Sequence, residues 1–415
     1  MTDPIQHIEH ETERKLNILH VFRAPAGGLF RHVQDLVRGQ VAAGHSVGIV
    51  CASNGASPAA DAALSALEPH LALGMRRIFM SRLADPRDIA AVTTVRALRS
   101  SQELDIVHGH GAKGGLMARL AVHRPPSDTT PDRRARSIYT PHGGSLHYDA
   151  TSLSGMAYLG IEKLLNNRTD AFIFESEFAR SVFAQKIGAP KGKSQIVHNG
   201  VGEADFLPLP NRKSTYDIAF VGELRMLKGI DVLLDALATM RGRNLRVVIA
   251  GDGPDREHFI DRACNLGLAP MITFPGAMPA REVFASARML VVPSLAESLP
   301  YIVLEALAAA MPLVATNCGG IPEIFAGRAD SLVPPGDALA LADAITRTLN
   351  APAQADTVAK QMRQDIAHRF SVGTMVRGVD DVYRTALTGL PVRDGTPQLL
   401  SPATPHSAPH SANGA

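Results

Sequence analysis

The 415-residue chain is predicted to fold as α/β, in two doubly wound, Rossmann-like domains facing each other across a cleft. Three observations predict this. Short apolar runs of strand length alternate with longer segments of helical periodicity along most of the chain. A turn-rich interval at 199–211 holds two Gly and two Pro and splits the alternation into two series. Finally, a chain this long with 45% hydrophobic content can bury two cores.

In the first series, apolar runs at 16–22, 47–52, 77–80, 105–108, 137–140, 171–175 and 195–198 read as buried strands. Segments 29–43, 86–100, 115–123, 153–167 and 177–187 carry apolar residues at helical spacing and read as the intervening helices. The second series repeats the logic, with strands at 217–221, 245–250, 272–274, 289–293, 313–316 and 331–333 and helices in the intervals. One more helix is expected at 373–387. The domain reading is therefore 1–200, a linker at 201–211, 212–368, then a helical segment at 369–390 able to cross back to the first domain. Residues 391–415, rich in Pro, Ser, Ala and His, are expected to be a disordered tail.

Composition excludes several function classes. With 42 basic and 40 acidic side chains the formal charge is only +2, which is no footprint of a nucleic-acid binder. Cys51, Cys264 and Cys318 lie far apart, without metal-ligand or redox spacing, as suits a reducing compartment. No apolar run approaches the roughly 18 residues of a spanning helix, and the polar start MTDPIQHIEHETERK lacks a signal-peptide core. The expected location is cytoplasmic, with peripheral attachment at the inner face of the membrane as the variant.

Chemistry concentrates where strands end, because open α/β sheets bind ligands at the carboxyl ends of their strands. In ESLPYIVLE, Glu297 and Glu305 are separated by seven residues, between a strand and a helix expected to open at Leu299-Pro300. A helix mouth of that kind suits a phosphate, and two flanking carboxylates suit hydroxyls. Dipole complementarity for Glu297 and a solvated Glu305 is the alternative. Gly27-Gly28 opens the first helix and can either cradle a diphosphate with free amides or simply form a tight turn. Arg225 and Lys228 share a strand-end loop, as anion-stabilising cations or as exposed charges. His142, in Thr140-Pro-His-Gly-Gly, stands at another strand end as a catalytic or a structural imidazole. His108 and His110 have no carboxylate or cysteine partners in sequence and read as cleft lining or core, so no metal is expected. Gly109-His-Gly-Ala-Lys-Gly114 matches a dinucleotide fingerprint but follows a late strand and lacks the acidic ribose partner. The Gly188–Ser194 stretch resembles a phosphate loop but is one residue short before Gly-Lys and leads into a strand, so it reads as a turn.

Gly27-Gly28, DIVHGHGAKGG, Thr140-Pro-His142-Gly, His198-Asn-Gly-Val, VGELRMLKG, IAGDGP and ESLPYIVLEALAAAMPLVATNCGGIPEI occur together, in order, across roughly residues 16–387. This set resembles the family 4 glycosyltransferases, also called glycosyl transferases group 1. The resemblance implies the GT-B fold, a nucleotide-diphosphate sugar donor (UDP- or GDP-sugar), retention of anomeric configuration, no cofactor and no bound metal requirement. It also implies roles: Glu297 on donor sugar hydroxyls, Glu305 on the nucleotide ribose, Lys228 on the diphosphate, Gly28 with Gly27 close to that diphosphate, and His142 near the reacting sugar. Asp252 fits the family's Gly-Asp-Gly turn without needing a role in catalysis. Two departures bear on the site. Glu223 stands where many relatives carry Arg, leaving Arg225 as the second cation. Leu299-Pro300 replaces Phe-Gly, so the phosphate contact passes from Leu299 toward Tyr301.

The resemblance further implies a glycan or lipid-linked acceptor, in cell-surface polysaccharide or lipopolysaccharide synthesis. Met156, Leu159, Ile161, Leu164 and Leu165, with Arg133, Arg134 and Arg136 nearby, form a face suited either to peripheral membrane contact or to core packing. Two other classes compete: a non-catalytic partner or regulatory subunit of the same fold, motivated by Glu223, and a dinucleotide-dependent oxidoreductase using the 109–114 loop.

Overall fold

The computed structural model describes residues 14–81, 85–123, 135–143, 152–209 and 214–389. The opening 13 residues, the 391–415 tail, Arg133, Arg134, and positions 210 and 211 of the expected linker lie outside them.

Seven strands form the first sheet: β1 (Asn17–Phe22), β2 (Ser46–Ala52), β3 (Met75–Ile78), β4 (Ile106–His110), β5 (Arg136–Thr140), β6 (Ala171–Phe174) and β7 (Lys193–Ile196). They run parallel in the order β3-β2-β1-β4-β5-β6-β7. Between them run α1 (Gly27–Ala42), α2 (Pro58–Leu67), α3 (Asp88–Ser101), α4 (Gly111–Val122), α5 (Leu153–Asn166) and α6 (Glu177–Lys186). A short α7 (Glu203–Phe206) leads to the second sheet, β8 (Tyr216–Val221), β9 (Val247–Ala250), β10 (Ile272–Gly276), β11 (Ala287–Val292) and β12 (Leu313–Ala315), parallel in the order β10-β9-β8-β11-β12. Its helices are α8 (Ile230–Thr239), α9 (Arg256–Asn265), α10 (Ala280–Ser286), α11 (Tyr301–Ala308), α12 (Ile321–Phe325), α13 (Ala338–Asn350) and α14 (Pro352–Arg369).

Central strands are apolar on both faces because helices cover both: β6 (Ala-Phe-Ile-Phe) and β9 (Val-Val-Ile-Ala) are buried throughout. Both sheets reverse strand order once, between β1 and β4 and between β8 and β11. At such a reversal neighbouring crossovers diverge and leave a crevice at the strand ends.

The glycines of the 109–114 fingerprint serve packing. A Cβ on Gly114 would lie 2.1 Å from the Val21 carbonyl oxygen, so α4 rests directly on β1 only because that position is bare.

The last helix, α15 (Val372–Thr388), leaves the second domain and covers the first sheet. Ser371 caps it, its Oγ accepting from the Thr374 amide at 3.1 Å. Met375, Val379, Val382, Tyr383 and Ala386 recur at helical spacing and pack on Leu16, Ile18, Ile106, Ile138 and Ile173. Each of the larger ones contributes on the order of 2 kcal/mol by burial. Val201 and Ser371 form a parallel bridge, so the chain's two crossings between domains run side by side.

Three expectations are corrected. Residues 331–333 form no strand; Ala326–Ser331 winds as a 3-10 helix and only Val333 bridges, to Thr316. The edge strands β3 and β7 lie two residues earlier than read. The helix read as opening at Leu299-Pro300 begins at Tyr301, with Pro300 extended as its N-cap. Among the described residues no helix is long and apolar enough to cross a membrane.

Candidate functional site

At the second sheet's reversal, β11 runs out into Pro293-Ser294 and the loop carrying Glu297. The Lys228 ammonium donates to Glu297 Oε1 at 2.6 Å, and Ser294 Oγ donates to the same oxygen at 2.8 Å. Backbone shape makes the pair possible. Gly229 adopts φ +66°, and a Cβ there would lie 2.0 Å from the Pro293 carbonyl oxygen, so the Lys228 loop seats on the end of β11. Gly319, at φ +59°, lies so close to Glu297 that a Cβ would meet its carbonyl oxygen at 1.8 Å. Arg225 is not drawn in; it pairs with Glu223 at 3.5 Å near the surface.

Glu305 projects from α11 and meets Arg31 of α1, a cation the sequence reading did not select. Arg31 also reaches Asp205 at 2.6 Å and Asp35 at 3.4 Å, and its guanidinium carbon stands 5.2 Å from the Tyr301 ring centre. Burial pushes the Glu305 carboxyl up, and Arg31 offsets this only in part. Burial would lower Arg31, but Glu305 and Asp205 outweigh it and hold its pKa above the usual value. Tyr301 is buried against Gly28, where a Cβ would come within 3.2 Å of the ring. Gly27 is the first residue of α1, at φ +61° with open space around it. The Leu299 side chain is core, and its carbonyl accepts from Asn199 Nδ2 at 2.8 Å. Glu297, Lys228, Glu305, Tyr301, Gly27 and Gly28 thus line the facing edges of the two domains.

The first sheet's reversal carries different chemistry. His142, two residues past β5 and at φ +51°, joins His20 of β1, His32 of α1, and His108 and His110 of β4 in one cluster. His110 bridges His20 at 2.9 Å and His142 at 3.1 Å. His108 bonds the Tyr383 hydroxyl at 2.7 Å and Thr140 at 2.9 Å. Burial drives every ring toward the neutral form: His20 falls to about 4 and His32 to about 3, and His108, His110 and His142 are held well below the ordinary value. His108 and His110, read as cleft lining or core, are both buried; the cluster around them was not foreseen.

Beside it, Glu175 directly follows β6. Burial raises its carboxyl to about 7, and hydrogen bonds that include the His142 backbone compensate only in part. Its Oε2 has no hydrogen-bond partner among the described residues. Glu323, from the second domain, accepts from the Glu177 and Phe178 amides at 2.9 Å each and so caps α6 across the cleft. Burial would raise its carboxyl, but the His198 hydrogen bond and those amides outweigh that and hold it low. The apolar face read on 153–167 divides: Leu159 and Leu165 are core, while Met156 and Leu164 are 51% and 61% exposed.

The Glycosyltransferase Family 4 profile matches residues 26–204, and the Glycosyl transferases group 1 profile matches 215–351. A putative glycosyltransferase, EpsD of Bacillus subtilis (strain 168), is 28% identical over 318 residues, covering 72% of this chain and 81% of EpsD. Among solved structures, Anabaena HepE in complex with UDP and glucose superposes with a TM-score of 0.70 at 18% identity, over 88% of this chain and 99% of that one. WaaG, a glycosyltransferase involved in lipopolysaccharide biosynthesis, superposes with a TM-score of 0.64 at 17% identity, over 89% and 99%. The fold they share with this chain is GT-B, two Rossmann-like domains facing each other.

Proposed function

The chain belongs to the family 4 glycosyltransferases, nucleotide-sugar-dependent enzymes of GT-B fold, and from that premise we propose that it is a retaining transferase acting on a glycan or lipid-linked acceptor in cell-surface polysaccharide or lipopolysaccharide synthesis. The observation that carries this reading is the Lys228–Glu297 pair, seated on the end of β11. A UDP-sugar donor is supported by the UDP and glucose bound to HepE; a GDP-sugar is the other donor the reading admits.

In this scheme the donor diphosphate lies between Lys228 and the open turn at Gly27-Gly28, with Tyr301 presenting the first amide of α11. Arg225 supplies a second cation from the loop rim. Leu299 shapes the pocket wall. Glu297 takes hydroxyls of the donor sugar, its attraction to Lys228 keeping both groups aligned. Glu305 binds the ribose, whose hydroxyls exchange for the Arg31 guanidinium that now holds the carboxylate. His142 stands by the reacting sugar. The acceptor hydroxyl approaches on the face from which the diphosphate departs. The new C1–O bond forms as the C1–O bond to phosphate breaks, and the acceptor proton passes to the leaving phosphate oxygen. Lys228 stabilises the charge that develops there, which accounts for a site with no side-chain nucleophile.

A thermal-shift and hydrolysis screen of UDP-, GDP- and ADP-sugars tests the reading. One donor is expected to raise the melting temperature and to be hydrolysed slowly with the released sugar in the donor's anomeric form. If no donor bound, the non-catalytic alternative would stand; release in the opposite anomeric form would sink the retaining assignment alone.

A further inference from the structure

Hydrogen-bond directions in the histidine cluster fix where its lone pairs lie. Asn199 Nδ2 donates to the Leu299 carbonyl, so its Oδ1 is left to accept from His32 Nδ1 at 3.1 Å. With Nδ1–H directed at Asn199 Oδ1, and the Tyr301 hydroxyl 3.4 Å from the same nitrogen, the ring's lone pair is placed on Nε2. That nitrogen is buried and has no hydrogen-bond partner among the described residues. Gln40 behaves like Asn199. Its Nε2 donates to the Tyr383 hydroxyl at 3.4 Å, leaving Oε1 to accept from His20 Nε2 at 2.8 Å. His20 Nδ1 is then a lone pair filled by His110 Nε2–H, and His110 Nδ1 is a lone pair filled by His142 Nε2–H. One ring nitrogen from each of His32, His110 and His142 lies within 4.8 Å of the other two. The His32 ring sits edge-on 4.8 Å from His142 and 5.7 Å from His110.

We propose that His32, His110 and His142 form a three-imidazole site for a divalent transition-metal ion, with Zn2+ the ion its donor set fits. Neutral imidazole nitrogens suit borderline ions, whereas Mg2+ and Ca2+ demand oxygen ligands that this trio lacks. Three protein ligands leave a fourth position open, and His142 is the one ring of the five with solvent access. The outer shell is already built: Asn199 Oδ1 holds His32 Nδ1–H and His20 Nδ1 holds His110 Nε2–H, each fixing the tautomer that ligates. Beside His142, the buried Glu175 carboxyl has an Oε2 with no hydrogen-bond partner among the described residues.

A second trio, His20, His108 and His110, is also close enough to hold an ion. There His108 has both nitrogens committed, to Tyr383 and Thr140, and His20 both, to Gln40 and His110, so a metal would have to break more bonds. The trio of His32, His110 and His142 needs only one proton to move, from His142 Nε2 to Nδ1, with the ring still neutral. Loading therefore turns His142 Nδ1 from an acceptor into a donor. The site is built wholly on the first sheet and α1, whereas Lys228 and Glu297 belong to the second; the ion is not one carried on a donor diphosphate.

Tag-free full-length protein, stripped with a chelator and titrated with Co2+, decides the matter. One equivalent is expected to bind with the visible ligand-field bands of a four-coordinate ion, displaceable by Zn2+. His32→Ala and His110→Ala should each weaken binding at least tenfold, while His108→Gln retains it. Absence of saturable binding by the wild-type chain overturns the proposal, as does binding undiminished in the first two variants or lost only in His108→Gln. If the alanine variants do not fold, X-ray absorption on the Zn2+-loaded wild type substitutes for them. Three imidazole nitrogens at about 2.0 Å support the site, and an oxygen- or sulfur-dominated shell refutes it.

Discussion

The two sheets reverse strand order at equivalent places, yet the crevices that result are lined with opposite kinds of chemistry. At β8 and β11 the groups carry fixed charge, Lys228 against Glu297, on loops shaped by Gly229 and Gly319. At β1 and β4 they are five imidazoles held neutral by burial, linked ring to ring and tied to Gln40, Thr140, Asn199 and Tyr383. One crevice is equipped to meet an anion. The other conserves protons, and its state depends on pH in a way the first does not share.

Acidification should break the contrast with the largest effect. His20 and His32 titrate near 4 and 3 in the folded, metal-free chain against 6.5 unfolded, so below pH 6.5 the unfolded chain binds more protons and stability falls as pH drops. For these two rings alone the loss reaches on the order of 5 kcal/mol by pH 4.5, comparable with the whole stability of many domains. Circular dichroism should follow this unfolding, since the chain has no Trp for fluorescence; a flat profile down to pH 4.5 would show that the rings are not buried neutral.

On the charged side, Lys228→Ala should lower turnover about 10²- to 10³-fold, roughly 3 to 4 kcal/mol of transition-state stabilisation. Its melting temperature should also fall, because Glu297 is buried and would keep only the Ser294 hydroxyl as a partner. Equal turnover in variant and wild type would remove Lys228 from the diphosphate.

Glu175→Gln sharpens the contrast within the first domain. Its carboxyl titrates near 7 when folded and 4.5 when unfolded, so the stability it contributes is full below 4.5 and lost as pH rises through 7, opposite in sense to the histidines. At pH 8 the amide variant should be more stable than wild type by roughly 2 to 3 kcal/mol, and at pH 4.5 the two should coincide. Denaturant midpoints at the two pH values measure this; equal differences at both would mean that Glu175 is not desolvated.

Much of the fold was legible because central strands of a doubly covered sheet are apolar without interruption, as in β6 and β9. The edges were read less sharply. In β3 and β7 (Met-Arg-Arg-Ile and Lys-Ser-Gln-Ile) no residue is fully buried, so the apolar signal slid to neighbouring residues. Leu332 and Val333 are buried as a strand would be, but a 3-10 turn consumes the residues before them. Glu297 and Lys228 could be nominated because strand, glycine and charge stand close together in sequence. Arg31 could not, since a cation four residues inside a helix signals nothing until Glu305 is brought to it. The histidine cluster draws on positions 20, 32, 108, 110 and 142, and only the i, i+2 spacing of His108 and His110 was visible. What assembles it is register, β1 pairing His20 with His108, and pairing between strands nearly ninety residues apart leaves no local trace.

The return of α15 to the first sheet sets an order of assembly on the ribosome. All of β1 to β7 emerges before residue 200, yet the part of one face over β5 and β6 stays uncovered until Met375, Val379 and Tyr383 have been synthesised. Residues 214–369, contiguous in the chain, can close their own core earlier. The second domain is thus able to mature first, and the first waits for the final helix, which delivers through Tyr383 the hydroxyl that orients His108.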